Sequence, residues 1–227
     1  MDSSPKTVLA MVAHPDDEVL GAGGTLARHV AAGDVVCIVF LTDGVGARGG
    51  DSSAARRRAE AARKAASLLG AKEPRFLGFA DNRLDKTDLL DVTQAIEGVI
   101  ATVKPTTIYT HHASDLNIDH VICHQAVLTA CRPLPGSIVR SIYAIEVPSS
   151  TEWSGPMCDN AFVPSRFVDI SGLQKIKRAA LEAYGEEMRP FPHPRSFEAI
   201  EALAVWRGAS AGLNAAEAFM VLREVEQ

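Results

Sequence analysis

The sequence predicts an α/β sandwich built on a mostly parallel central sheet. Three observations carry that expectation. Short, continuously apolar runs recur along the 227 residues, and most are followed by a stretch of helical length. Such runs suit parallel strands buried on both faces. The polar, chemistry-bearing clusters then fall directly after the runs, where open parallel sheets bind their ligands.

The first run, 7–13 (TVLAMVA), ends at His14-Pro15. A helix is expected from Asp16 or Asp17 to about Ala31, with acids in its first turn and Gly33 near its end. A second strand spans 35–42 (VVCIVFLT), followed by a glycine-rich loop to Gly50 and an Ala/Arg-rich helix over 52–69 that Gly70 stops. Residues 75–79 read as a third strand and 89–103 as a helix ended by Pro105. A fourth strand at 106–110 leads into HHASDLNIDH and a helix over about 120–131. Later strands are expected at 137–146 and 166–170, and later helices at 173–184 and 195–208. The whole chain, 1–227, reads as one domain whose part from about 148 to 227 completes the sheet edge and the pocket.

Composition narrows the function classes. Hydrophobic residues at 47% and charged residues at 22% describe a globular chain. A net charge of −5 argues against a general affinity for nucleic acid. No run reaches the ~18 apolar residues of a membrane span, and the start MDSSPKT is not a secretory signal, so the cytoplasm is the expected location. The four cysteines contain no CxxC pair, and Cys123 and Cys131 read as small core residues. The irregular stretch 148–164 suits a lid, an interface or a covered loop, and homo-oligomerisation stays open.

His14, Asp16, Asp17 and Glu18 place an imidazole and three carboxylates within five positions after a buried strand. Buried unpaired, such acids would cost several kcal/mol each, so they call for a cation or full solvation. A mixed His/Asp set suits zinc. The second cluster, 111–120, offers His111, His112, Asp115, Asn117, Asp119 and His120, and one sheet edge would bring the two clusters together. Asp119 is suited to orienting an imidazole from behind. A metal-activated water beside a free carboxylate points to hydrolysis of an amide or ester. The competing reading of HPDDE is a helix start whose acids favour the macrodipole.

The run Ala13-His14-Pro15-Asp16-Asp17-Glu18, Gly21-Ala22-Gly23-Gly24-Thr25, Leu41-Thr42-Asp43-Gly44 and Asp119-His120 resemble the LmbE-like, or PIG-L, zinc-dependent de-N-acetylases. The likeness extends through 57–60, Leu69-Gly70, Leu77-Gly78 with Asp81, and 208–219, nearly the whole chain. It implies a Rossmann-like three-layer fold and removal of an N-acetyl group from an amino sugar or glycoconjugate. It further implies one zinc per chain on His14, Asp17 and His120, Asp16 as the base that activates the zinc-bound water, and Asp119 in support. Hydrolysis of another amide, such as a thiol-sugar conjugate, is the alternative within the enzyme class. A catalytically weak zinc- or sugar-binding protein is the alternative outside it.

Many members carry His-Pro-Asp-His where this chain has Asn117-Ile118-Asp119-His120. Asn117 can donate to an oxyanion but delivers no proton to a leaving amine. That leaves Asp16, or His193 in Pro192-His193-Pro194, as the general acid. Arg48 in the glycine loop, Arg83 after the third strand and Asp115 are expected to face the substrate, whereas Arg56, Arg57 and Arg58 read as a mostly solvated helix face. His29 and His124 read as structural. The glycines at 21, 23 and 24 do not follow dinucleotide-binding spacing and suit close helix packing, or a short break before the helix.

Overall fold

The computed structural model describes residues 5–46, 52–155 and 161–226. The strands are β1 (Thr7–Val12), β2 (Val35–Thr42), β3 (Arg75–Phe79), β4 (Thr107–Thr110), β5 (Ser141–Ala144), β6 (Arg166–Asp169) and β7 (Ala216–Glu224). The helices are α1 (Asp17–Ala31), α2 (Ser52–Leu69), α3 (Leu89–Val103), α4 (Ile118–Ala130), α5 (Gln174–Ala183) and α6 (Phe197–Ala209). All seven strands join one sheet in the order β3-β2-β1-β4-β5-β7-β6. The first five are parallel, while β7 runs antiparallel to both β5 and β6.

The apolar runs follow from burial on both faces. Along β1, Val8, Ala10 and Val12 pack with α1, α2 and α5, and Leu9 and Met11 pack with α3 and α4 on the other side. The resulting layers are helix, sheet, helix. Gly21 and Gly24 are explained by close approach within an unbroken α1. A Cβ at Gly21 would meet Ile145 at 2.8 Å, and one at Gly24 would meet Ile170 at 2.7 Å.

Strand β7 lies where no strand is expected from the sequence. Its residues, AEAFMVLRE, are mostly helix formers. Pairing with β5 on one side and β6 on the other overrides that local preference.

The strand order reverses between β1 and β4, with β1 followed at α1 and β4 followed at α4. The segments leaving these two strands, 13–16 and 111–117, therefore emerge side by side at one sheet edge. No helix of the described residues is long and apolar enough to cross a membrane.

Candidate active site

Asp16 sits between β1 and α1 with φ of 123°, a conformation that L residues rarely adopt. Its side chain caps no helix amide and is turned toward two arginines. Arg58 Nη2 lies 3.1 Å from Asp16 Oδ2, and Arg195 Nη1 donates to the same oxygen at 2.9 Å. The other oxygen, Oδ1, is buried with no hydrogen-bond partner among the described residues. Burial raises the Asp16 pKa above the ordinary carboxylate value, with Arg58 and Arg195 pulling against it.

Beside Asp16, His14 Nδ1, Asp17 Oδ2 and His120 Nε2 form a nearly equilateral triangle. Its edges are 3.2 Å between the imidazoles, 3.3 Å from His14 to Asp17 and 3.3 Å from His120 to Asp17. Zinc–ligand bonds of about 2.0–2.1 Å in a tetrahedron place neighbouring donors roughly 3.3–3.4 Å apart. The three side chains thus fit one face of such a site. They come from the turn after β1, the first turn of α1 and the first turn of α4.

Each imidazole is backed by carboxylate on its remaining nitrogen. His14 Nε2 lies 3.2 Å from Asp119 Oδ2 and 3.1 Å from Asp81 Oδ1, and His120 Nδ1 lies 3.1 Å from Asp115 Oδ1. Asp119 is itself fixed by the amides of Asn82 and Leu84, at 2.7 and 3.1 Å. His14, Asp81 and Asp119 also lie close enough to hold an ion. Amides already engage both Asp119 oxygens, whereas only one Asp17 oxygen takes an amide, from His14 at 2.9 Å, and its Oδ1 has no hydrogen-bond partner among the described residues. Burial disfavours a charged His120, yet Asp17 and Asp115 outweigh it and raise its pKa to about 9. Burial likewise opposes ionisation of Asp17, and the imidazoles of His120 and His111 bring it well below the ordinary value.

His111 is fully buried and ties the two strand ends together. Its Nε2 accepts from the Ala13 amide at 2.8 Å, and its ring stacks on His120 at 3.8 Å between centroids. Asn117 is the N-cap of α4: its Oδ1 accepts from the Asp119 amide at 2.9 Å. That bond turns Nδ2, a donor only, toward Asn82 Oδ1 at 3.4 Å and the cleft. Asp16, His14, Gly44, Asn82, Asn117 and Arg195 are among the residues lining this cleft.

Four expectations change. Asp115 does not face the cleft: Asn117 N, Ser150 Oγ and Thr151 Oγ1 donate to it, and it stands behind His120. His193 is half-buried with Nδ1 accepting from the Arg195 amide at 3.0 Å and its ring against Trp153. It supports the turn from which Arg195, not the imidazole, enters the cleft. Arg83 is exposed outside the cleft lining, while its neighbours Asp81 and Asn82 line it. Arg58 is only 7% exposed, so it is no solvated residue. It donates to the Pro15 carbonyl at 2.8 Å and pairs with Asp16 and Glu187. Arg48 lies outside the described residues.

Arg58, Asp81, Asn82 and Arg195 are site residues that sequence reasoning missed, and the two arginines bear directly on Asp16. For Arg58 a signal existed, because it continues the buried stripe Ala62, Ala65, Ala66 and Leu69 along α2. Arg195 left none, since a loop residue 179 positions from its partner shows no periodicity.

The family model of PIG-L, described as GlcNAc-PI de-N-acetylase, matches residues 9–131. An Escherichia coli K12 protein named uncharacterized deacetylase YaiS is 35% identical over 185 residues, covering 79% of this chain and 90% of that protein. The 4-oxalmesaconate hydratase of Pseudomonas putida KT2440 is 30% identical over 237 residues, covering 94% of this chain and 84% of the hydratase. The solved N,N'-diacetylchitobiose deacetylase of Pyrococcus horikoshii superposes with a TM-score of 0.77 at 21% identity, covering 96% of this chain and 84% of that one. This chain is an enzyme and belongs to the PIG-L, or LmbE-like, de-N-acetylase family.

Proposed function

We propose that the chain is a zinc-dependent hydrolase that removes the N-acetyl group from an amino sugar or glycoconjugate. One zinc per chain would be held by His14, Asp17 and His120, with the whole of 1–227 acting as one catalytic domain. The observation that carries this reading is a carboxylate with one unpartnered oxygen, Asp16 Oδ1, beside a triangle of metal-ligand spacing. The family description and the chitobiose deacetylase neighbour support an N-acetylated sugar as the substrate class.

When bound, zinc supplies Lewis acidity that polarises the amide carbonyl and makes water easier to deprotonate. Asp16 Oδ1 takes one proton from the attacking water while Oδ2 is held by Arg58 and Arg195. The water oxygen bonds to the acetyl carbon, and Asn117 Nδ2 donates to the carbonyl oxygen as it gains charge. Asp16 then passes its proton to the sugar nitrogen, the C–N bond breaks, and free amine and acetic acid leave, the acid giving up its remaining proton to solvent. His193 has no part in this route, because its ring is held in the turn beside Trp153. Asp119 and Asp115 keep the two imidazoles oriented.

The hydratase relative favours a second reading, addition of water to an activated double bond of a small carboxylate. Against it, the two cleft arginines that would bind a carboxylate already hold Asp16, Glu187 and the Ser149 hydroxyl. The test is acetate and amine release from N-acetylglucosamine and diacetylchitobiose by the zinc-loaded protein. We expect release that Asp16→Asn abolishes with metal retained. Hydration of unsaturated dicarboxylates without acetate release from any N-acetyl sugar would overturn the assignment.

A further inference from the structure

A second recess lies near the opposite end of α1. It encloses about 210 Å³ between α1 and β6 and is lined by Thr25, Arg28, His29, Tyr109, Arg166 and Val168. His29 follows Asp17 by twelve residues on one continuous helix, which separates the recess from the metal set by about 18 Å.

Within a mainly apolar wall, several polar groups face the recess. Thr25 is 1% exposed, and its Oγ1 has no hydrogen-bond partner among the described residues. Arg166 Nε is likewise buried without one, while the guanidinium lies 4.6 Å over the Tyr143 ring and also hydrogen-bonds the Tyr109 hydroxyl, so Nε is the arginine's uncommitted donor at the recess. Arg28 gives one N–H to the Asp169 carbonyl at 3.0 Å. The Tyr109 hydroxyl lies 3.0 Å from His29 Nε2, whose Nδ1 lies 2.7 Å from Asp34.

Nearby carboxylates have donors of their own. Glu217 accepts from Lys177 and from the amides of Gly24 and Thr25. Glu224 accepts from the Tyr143 hydroxyl at 2.9 Å and stands 3.6 Å from Arg166 Nη1. Asp34 also accepts from the Lys6 amide. Two guanidiniums and a buried hydroxyl approach the recess from both α1 and β6, so donors converge from more than one side. That arrangement suits a tetrahedral oxyanion, which takes several charge-assisted hydrogen bonds at once.

We propose that this recess is a phosphoryl-binding site, separate from the catalytic cleft, that takes phosphate or a small phosphate monoester. Its occupant bridges α1 and β6, the helix that begins at Asp17 and the far strand of the sheet.

The test is calorimetric titration of the metal-loaded protein with inorganic phosphate and with glycerol 3-phosphate, at constant ionic strength in chloride. Saturable millimolar or tighter binding is expected, weakened roughly tenfold or more by Arg166→Gln and by Arg28→Gln. Arg28 is exposed, so its variant tests the site without disturbing the core. Arg195→Gln, in the catalytic cleft, should leave the affinity unchanged. Tighter binding of the monoester makes the natural ligand an ester, and tighter inorganic phosphate makes it the free ion. Absence of saturable binding by both ligands overturns the proposal. So does binding that the Arg166 and Arg28 variants leave unchanged, whether Arg195→Gln removes it or not.

Discussion

Arg195 Nη1 and Asp16 Oδ2 meet at 2.9 Å across 179 residues of chain, joining a C-terminal loop to the first strand's end. With Arg58 on the same oxygen, the two guanidiniums immobilise one side of the carboxylate and counter the burial that raises its pKa. Removing Arg195 should therefore raise that pKa further. We expect Arg195→Gln to lower kcat about ten- to a hundredfold and to move the acid limb of the kcat/KM profile to higher pH, with metal content unchanged. An unshifted limb with full turnover would remove Arg195 from the mechanism.

Arg58 has a structural burden as well, because it is buried between Asp16 and Glu187. Arg58→Met removes the guanidinium paired with Glu187 and one of the two on Asp16, and breaking such buried pairs typically costs about 3–5 kcal/mol. Urea denaturation should show a loss of that size. A change under about 1 kcal/mol would mean that water replaces the guanidinium readily.

The degree to which this site could be read from sequence tracks how local each signal is. The clusters 14–18 and 111–120 are legible because they follow apolar strands, and strand order brings those strand ends together; the choice of His14, Asp17 and His120 within them comes from the family resemblance. Spacing puts Asp115 near His120 but says nothing about which way its oxygens face, and they face the imidazole and two hydroxyls instead of the cleft. Arg195 was hidden beside His193, since Pro192 and Pro194 mark a stiff turn without telling which side chain it aims inward. Strand β7 was hidden for a related reason, its pairing partners lying far along the chain and its residues favouring helix.

Behind His120, Asp115 Oδ1 lies 3.1 Å from the imidazole Nδ1, and the carboxylate takes hydroxyl bonds from Ser150 and Thr151. His120→Ala should lose the metal, as elemental analysis would show. Asp115→Asn should keep the ligand set yet weaken metal affinity about ten- to a hundredfold. Equal affinity in the Asn variant would show that the imidazole needs no carboxylate behind it.

The pH response of the metal-free protein follows from two buried groups. His120 has its pKa raised to about 9, so its protonated form stabilises the fold fully below the ordinary value near 6.5, a contribution lost as pH climbs through 9. Burial raises Glu18 to about 8, so between its unfolded value near 4.5 and 8 the folded state binds the extra proton and stability again falls as pH rises. Metal needs a neutral His120, so its affinity should increase over the same range with release of protons. The Tm of metal-free protein should thus drop between pH 6.5 and 9 while the increment given by zinc widens. A constant increment would contradict a proton on His120.

Asn117 separates catalysis from metal binding most cleanly. Its Oδ1 is committed to the α4 cap, so its amide presents donors alone to the cleft, and no atom of it belongs to the metal triangle. Asn117→Ala should retain zinc, lose about 1 kcal/mol of stability with the cap, and lose kcat by about a hundredfold with the oxyanion donor. Asn117→Asp would restore the cap acceptor while placing negative charge where the carbonyl oxygen gains its own. The Asp variant should therefore recover stability and remain inactive, a pattern that a purely structural asparagine would not produce, since cap repair would then restore turnover.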